Sequence, residues 1–269
     1  MSFAGGAFGG GVFRKGAFSG LPSVGAASVP IALTTTPTSR WVPQFSTVVE
    51  DAGRVASATD LMGLAAATEG ASGAGPEVVT YANGTKAWRF SGAEYLNIAA
   101  DLALNGKAFT VAMVGRFHRS LEPGQQSIFC LGNAAQGSPP GWGGANFRTF
   151  KGSNEPAYLA SVTGFGWTAT NTENFLVGSQ LQVVALSSGA SKSRMGINGN
   201  LEDFGGSYAI DATGAEIGRY AASPGSSGNW STFDLVDMVV FDTALSDTDL
   251  ATMVSELQVG YGIADVTGQ

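Results

Sequence analysis

Between residues 109 and 118 the chain alternates with a period of two. Phe109, Val111, Met113 and Phe117 fall on one side of an extended strand, and Thr110, Arg116 and His118 on the other. A helix would scatter those apolar residues around its circumference, so the pattern predicts a strand with one face in a core. Similar runs recur at 78–81, 86–90, 126–131, 157–162 and 180–186, and the longest is 233–242. Turn signals separate them. Asn83-Gly84 sits between two of the runs as a hairpin signal, and Asn198-Gly199 marks another turn. The Ala-, Thr- and Gly-rich stretch from 60 to 75 reads as a loop. Only near the end does the period change. Ser246 stands as a helix cap with Asp249 three residues on, Leu250, Met253, Val254 and Leu257 share one helical face, and Gly260 and Gly262 close the segment. One short helix after a series of strands predicts an all-β sandwich with a helical plug at one end.

Composition narrows the function. Hydrophobic residues make up 44% of the 269, enough for a core, while Lys and Arg total 14 against 21 Asp and Glu. The net charge of −7 and the absence of a basic stripe exclude a nucleic-acid groove, which needs clustered cations to meet phosphates. No stretch approaches the ~18 apolar residues of a membrane span. The N-terminus lacks a signal peptide's apolar run, and Arg14-Lys15 follow its apolar residues instead of preceding them. Cys130, the single cysteine, lies in the apolar run 127–131 and reads as a small core residue. Maturation without disulfides in a reducing cytoplasm is the expectation.

The first 40 residues follow another rule. Phe3, Phe8, Phe13 and Phe18 recur every fifth residue among glycines, a period that fits neither helix nor strand. Four rings on a glycine-rich segment predict an arm that orders itself by docking into a partner or a sister subunit. Prolines at 22, 30 and 37 favour an extended stalk after it. The division expected is an attachment arm and stalk at 1–40 and a sandwich at 41–269.

Within the second part the residues carry a family likeness. Gly53-Arg54-Val55 and the stretch 83–96, Asn-Gly-Thr-Lys-Ala-Trp-Arg-Phe-Ser-Gly-Ala-Glu-Tyr-Leu, resemble the opening of concanavalin A-like lectin/glucanase domains of the laminin-G type. Phe109-Thr110-Val111-Ala112 resembles their next strand, and 237–246 with 256–263 their closing strand and helix. The resemblance implies a two-sheet antiparallel jelly-roll sandwich and a carbohydrate-binding habit. Such domains are common as spikes, fibres and decorations of bacteriophage or gene-transfer-agent particles. The expectation is therefore a virion-type protein, assembled in the bacterial cytoplasm and released by lysis. It would be held to other particle proteins by its arm, would be homo-oligomeric, and would bind host-surface glycan.

The acidic and histidine residues point away from catalysis. Glucanase relatives resemble each other in a strand bearing Glu-x-Asp-x-x-Glu, and its glutamates are missing here. Asp234 and Asp237, three apart, fall on opposite faces of a regular strand, and Asp237 reads as solvent-facing. His118 is the one histidine, which leaves no metal cluster and no Gly-x-Ser-x-Gly elbow to serve. No cofactor is expected. Glu202, Asp203 and Asp211 could offer oxygens to calcium, but without an EF-hand pattern they read as acidic loop residues. Sugar binding needs an aromatic platform with a few polar partners. Trp142, Asn146, Trp167, Asn229 and Trp230, in or beside glycine-rich loops, are the candidates. A ligand-free structural decoration and a polysaccharide-degrading enzyme are the alternatives.

Overall fold

The computed structural model describes residues 29–71, 73–98, 102, 104, 107–117, 124–131, 145–151, 158–163, 166–169, 180–189, 192–204, 215–219 and 232–263. In chain order the strands are β1 (Ser39–Trp41), β2 (Thr47–Asp51), β3 (Arg54–Thr59), β4 (Ala66–Glu69), β5 (Glu77–Thr80), β6 (Lys86–Ser91), β7 (Leu96–Ile98), β8 (Phe109–Phe117) and β9 (Gly124–Leu131). Then come β10 (Ala145–Lys151), β11 (Tyr158–Thr163), β12 (Gly166–Ala169), β13 (Gln182–Ser188), β14 (Ser193–Ile197), β15 (Asn200–Phe204), β16 (Ala215–Ile217) and β17 (Thr232–Phe241). Among the described residues a single helix, α1 (Asp247–Tyr261), follows.

All described pairings are antiparallel, and they resolve into two sheets. The first runs β15-β14-β13-β8-β17, and the far side of β17 is shared end to end by β6 and β1, with β5 beyond β6. The second runs β2-β3-β4-β7-β16-β9-β10-β11-β12. One bridge, Arg54 to Glu77, ties them together. This is the β-sandwich that the alternation predicts and the two-sheet jelly roll that the resemblance implies. Asn198 (φ 47°) and Gly199 (φ 85°) take the two left-handed positions of a tight turn between β14 and β15, and such a turn favours Asn-Gly.

Between the sheets lies the main core, built from Trp41, Trp88, Phe90, Leu96, Phe109, Met113, Phe129, Val184, Phe233 and their neighbours. Phe233 stacks on Phe90 at 4.5 Å between ring centroids and on Phe117 at 5.9 Å. A second cluster lies on the other side of the first sheet, where Ala112, Val114, Val183, Ala185, Val236, Val239 and Phe241 meet Leu250, Met253, Val254 and Leu257 of α1. The helix therefore covers a sheet face instead of plugging one end of the sandwich. Burying each of those four side chains is worth roughly 1.5–3 kcal/mol. This also explains why the even positions of β8 are Ala112 and Val114 and not polar. Both faces of that strand are buried.

Ser246 caps the helix, its Oγ accepting from the Asp249 N–H at 3.1 Å, and Gly262 ends it in the left-handed conformation. Gly260 lies inside the helix. A Cβ there would come 2.4 Å from Ile31 Cδ1, so the glycine makes room for the chain passing over it. Along that path the Thr34 N–H donates to both oxygens of Glu256 at 3.1 and 3.0 Å, and Thr38 Oγ1 donates to Asp242 Oδ1 at 3.1 Å. The expected loop at 60–75 contains β4, which pairs with β3 and β7. Its Ala-Ala-Thr-Glu sequence is too poor in bulky residues to show a period. Among the described residues no helix is long and apolar enough to cross a membrane.

Candidate ligand-binding face

Polar strand residues that point away from the core settle on one of two outer faces, and the faces differ. On the first sheet, Asp234 and Asp237 of β17 both turn outward. The register with β8 slips between Leu235 and Asp237, so Val236 is an extra residue and the two acids share a face. The opposite-face reading holds for a regular strand, and this one carries a bulge. Asp237 is 1% exposed, which corrects its solvent-facing reading. Arg40 donates to it through Nε (3.1 Å) and Nη2 (2.5 Å), and Tyr261 Oη through a 3.0 Å bond. Burial works against the Arg40 charge, but the hydrogen bonds and charge of Asp237 prevail and raise its pKa. Burial, then the Asp237 charge, push the Tyr261 phenol far above its ordinary range, so it stays a donor. Asp234, 0% exposed, is held likewise by Arg89 Nε (2.8 Å), Arg89 Nη2 (3.0 Å) and Tyr81 Oη (2.8 Å). Two buried carboxylates so engaged have no geometry for an acid and nucleophile pair on a sugar.

The outer face of the second sheet is built differently. Leu96 and Ile98 of β7, Ala215 and Ile217 of β16, and Phe129 of β9 enter the core, so Asn97, Glu216 and Cys130 between them face outward. Pairing carries this row across the sheet: Val49, Ser57, Thr68, Asn97, Glu216, Cys130, Asn146, Val162 and Trp167 are each the direct partner of the next. From Val49 to Cys130, direct pairing puts the side chains on one face. In backbone register the row continues to Asn146 and Trp167, two of the sugar-binding candidates. At ~4.8 Å per strand, Asn97 and Trp167 are about 24 Å apart along the sheet.

Glu216 is 5% exposed and both its oxygens accept from Arg219, Nε at 3.2 Å and Nη2 at 3.0 Å. The Arg219 guanidinium lies over the Tyr95 ring, 3.3 Å from its centroid. Farther along, Glu94 accepts from the backbone N–H groups of Ser91 (2.6 Å) and Ala93 (3.2 Å) and from Arg54 Nη1 (3.2 Å). Burial would raise its pKa, but these bonds outweigh it and hold the carboxyl below its ordinary value.

Sequence reasoning missed Asn97, Glu216 and Arg219. The one available signal was Ala215-Glu216-Ile217, a polar residue between two apolar ones, in a strand too short to stand out. Trp142, Asn229, Trp230, His118, Asp211 and the arm residues Phe3, Phe8, Phe13 and Phe18 lie outside the described residues. Asp203, a calcium candidate, pairs with Arg194 and with Lys192. No group of three or more His, Cys, Asp or Glu able to hold a metal occurs among the described residues.

No protein-family model and no curated protein matches the chain. Solved structures do share its fold. Trypanosoma rangeli sialidase, in a complex with 2,3-difluoro-KDN, is similar at a TM-score of 0.57 and 11% identity, over 82% of this chain and 33% of the sialidase. The chain thus spans about a third of that enzyme's length. The CBM40 of Ruminococcus gnavus IT-sialidase, bound to α2,3-sialyllactose, is similar at 0.49 and 13%, over 62% of this chain and 95% of the module. A heptameric SAP-like pentraxin from Limulus polyphemus is similar at 0.46 and 20%, over 62% and 78%. At these identities the likeness is one of fold, the β-sandwich.

Proposed function

We propose that this chain is a carbohydrate-binding β-sandwich that takes a glycan chain along the outer face of its second sheet and does not cleave it. The observation that carries the reading is the cross-strand row, in which Trp167 and Asn146 stand in backbone register with Asn97 and Thr68, across Cys130 and a Glu216 that Arg219 already holds. An aromatic platform with amide and carboxylate partners is what saccharide recognition needs, and a row about 24 Å long suits a polymer better than a single sugar. Binding without hydrolysis is supported by the state of the β17 carboxylates, each buried and ion-paired.

The wider role is that of a host-attachment component of a phage-like particle, with Phe3, Phe8, Phe13 and Phe18 as the anchor. Its support is the five-residue aromatic period, which suits docking into repeated pockets on an assembly. The glycan reading is tested on an array of bacterial surface polysaccharides. The full chain is expected to retain at least one, and Trp167→Ala to weaken that binding about tenfold or more. Retention unchanged in Trp167→Ala, or release of reducing sugar from the bound polymer, overturns it. The anchor is tested separately: a chain lacking residues 1–20 should remain folded yet fail to join the particle, and normal incorporation sinks that part.

A further inference from the structure

Among arginines with described side chains, all but one are ion-paired. Arg40 holds Asp237, Arg54 reaches Glu94, Arg89 holds Asp234, Arg194 reaches Asp203 and Arg219 grips Glu216. Three of these pairs, those of Arg40, Arg89 and Arg219, use one geometry, with Nε on one carboxylate oxygen and Nη2 on the other. Arg116 carries the same fork with no carboxylate in it. Its Nε is buried and makes no hydrogen bond, an arrangement that folded proteins rarely tolerate without a partner.

Its surroundings are specific. Arg116 is the direct cross-strand partner of Asp234, but that carboxylate is already occupied by Arg89 and by the Tyr81 hydroxyl. Glu77, paired across the strand with Arg89, also acts on it by its charge, so what Arg116 lacks is a hydrogen-bonding partner and not a counter-charge. Tyr81 brings no further negative charge, because burial and the nearby Asp234 charge keep its phenol protonated. The Tyr81 ring instead fixes Arg116 in place, with Cζ 3.9 Å from the ring centroid. A guanidinium with one face against a ring keeps its strong bonding directions in its own plane, where a planar two-oxygen anion fits. The cluster lies on the outer face of the first sheet, nearer the start of β17 than Asp237, where the last helical residue, Tyr261, makes contact. The Arg89 side chain there is 39% exposed, so the cluster opens to solvent on the Arg89 side, while Asp234 and the Arg116 Nε lie beneath.

We propose that Arg116, backed by Arg89 and Tyr81, anchors a second ligand site for the carboxylate of an acidic saccharide, on the sandwich face opposite the Trp167 row. The site is independent of that row, and the two fail independently. Isothermal titration of the full chain with a galacturonate trimer, its methyl ester, monomeric glucuronate, glucose and inorganic sulfate tests it. The trimer is expected to bind, and the ester, glucose and sulfate to bind at least about tenfold more weakly. Arg116→Gln should lose about tenfold or more in affinity for the trimer. Arg116→Lys, which keeps the charge and loses the fork, should not restore it. Equal binding of the ester or of sulfate overturns the carboxylate assignment, and needs no variant to fold. Glucuronate binding as tightly as the trimer overturns the saccharide chain as its source, and full affinity in Arg116→Gln, or no trimer binding at all, overturns the site.

Discussion

The two outer faces of this sandwich start from the same material, strands that alternate apolar and polar residues, and reach opposite ends. On the first sheet, α1 lies over the middle of the face, and the outward residues beneath it are Ala112, Val114, Val183, Ala185 and Val239. Where acids remain, at Asp234 and Asp237, each is clasped by an arginine and a tyrosine. On the second sheet the outward row keeps Ser57, Thr68, Asn97 and Glu216 in sequence, and its edge residue Val49 is 56% exposed. Beneath the helix Asp237 must be neutralised, and Glu216, buried on the second sheet, is held by Arg219 in the same way, whereas Thr68 and Val49 toward the β2 edge stay exposed. The two faces thus differ in how far their cover extends.

The comparison breaks first at Asp237. If that acid is a structural part of a covered face, Asp237→Ala leaves Arg40 buried and uncompensated, and the expected loss is about 3–5 kcal/mol. Urea unfolding at neutral pH measures it directly. Replacing both charges, Arg40→Met with Asp237→Leu, should recover much of the loss, because two buried charges then need no solvation. A loss under about 1 kcal/mol for Asp237→Ala would mean that water reaches this acid and that the helix does not close the face. Glycan retention by folded Asp237→Ala should be unchanged, since the proposed row lies on the other sheet.

Much of this was legible beforehand and some was not, for identifiable reasons. The alternation at 109–117, the Asn-Gly turns and the Ser246 cap are local signals, and each appears where its pattern places it. The helix was readable as a helix but not as a cover, because its apolar stripe states only that something is buried against it. Ala112 and Val114 carried the missing half of that message. The bulge at Val236 was invisible, since nothing in Leu-Val-Asp marks an extra residue, and without it Asp237 falls on the wrong face. The row across the second sheet was not legible as a row: Asn146 and Trp167 stood out only as residues among glycines, and they lie in β10 and β12 and not in loops. Glu216, Asn97 and Cys130 come together through pairings between strands distant in the chain, and composition does not record a register.

The smallest effect concerns Glu94, a buried carboxylate whose ion-pair partner Arg54 is 39% exposed. Its three bonds, from the Ser91 and Ala93 N–H groups and from Arg54, favour the charged form and hold its pKa below the ordinary 4.5. In the unfolded chain those bonds are gone, so the unfolded state takes up a proton first as pH falls. The stabilisation is therefore fully present above about pH 4.5 and is lost as pH drops through the lower folded value. Urea unfolding measured from pH 6 to pH 3 should show stability falling across that window. Glu94→Gln, which keeps the shape without the charge, should begin less stable at pH 6 and follow a shallower slope. An unchanged slope would show that another carboxylate carries the acid sensitivity, and that the bonds around Glu94 bind its neutral form as well as its charged one.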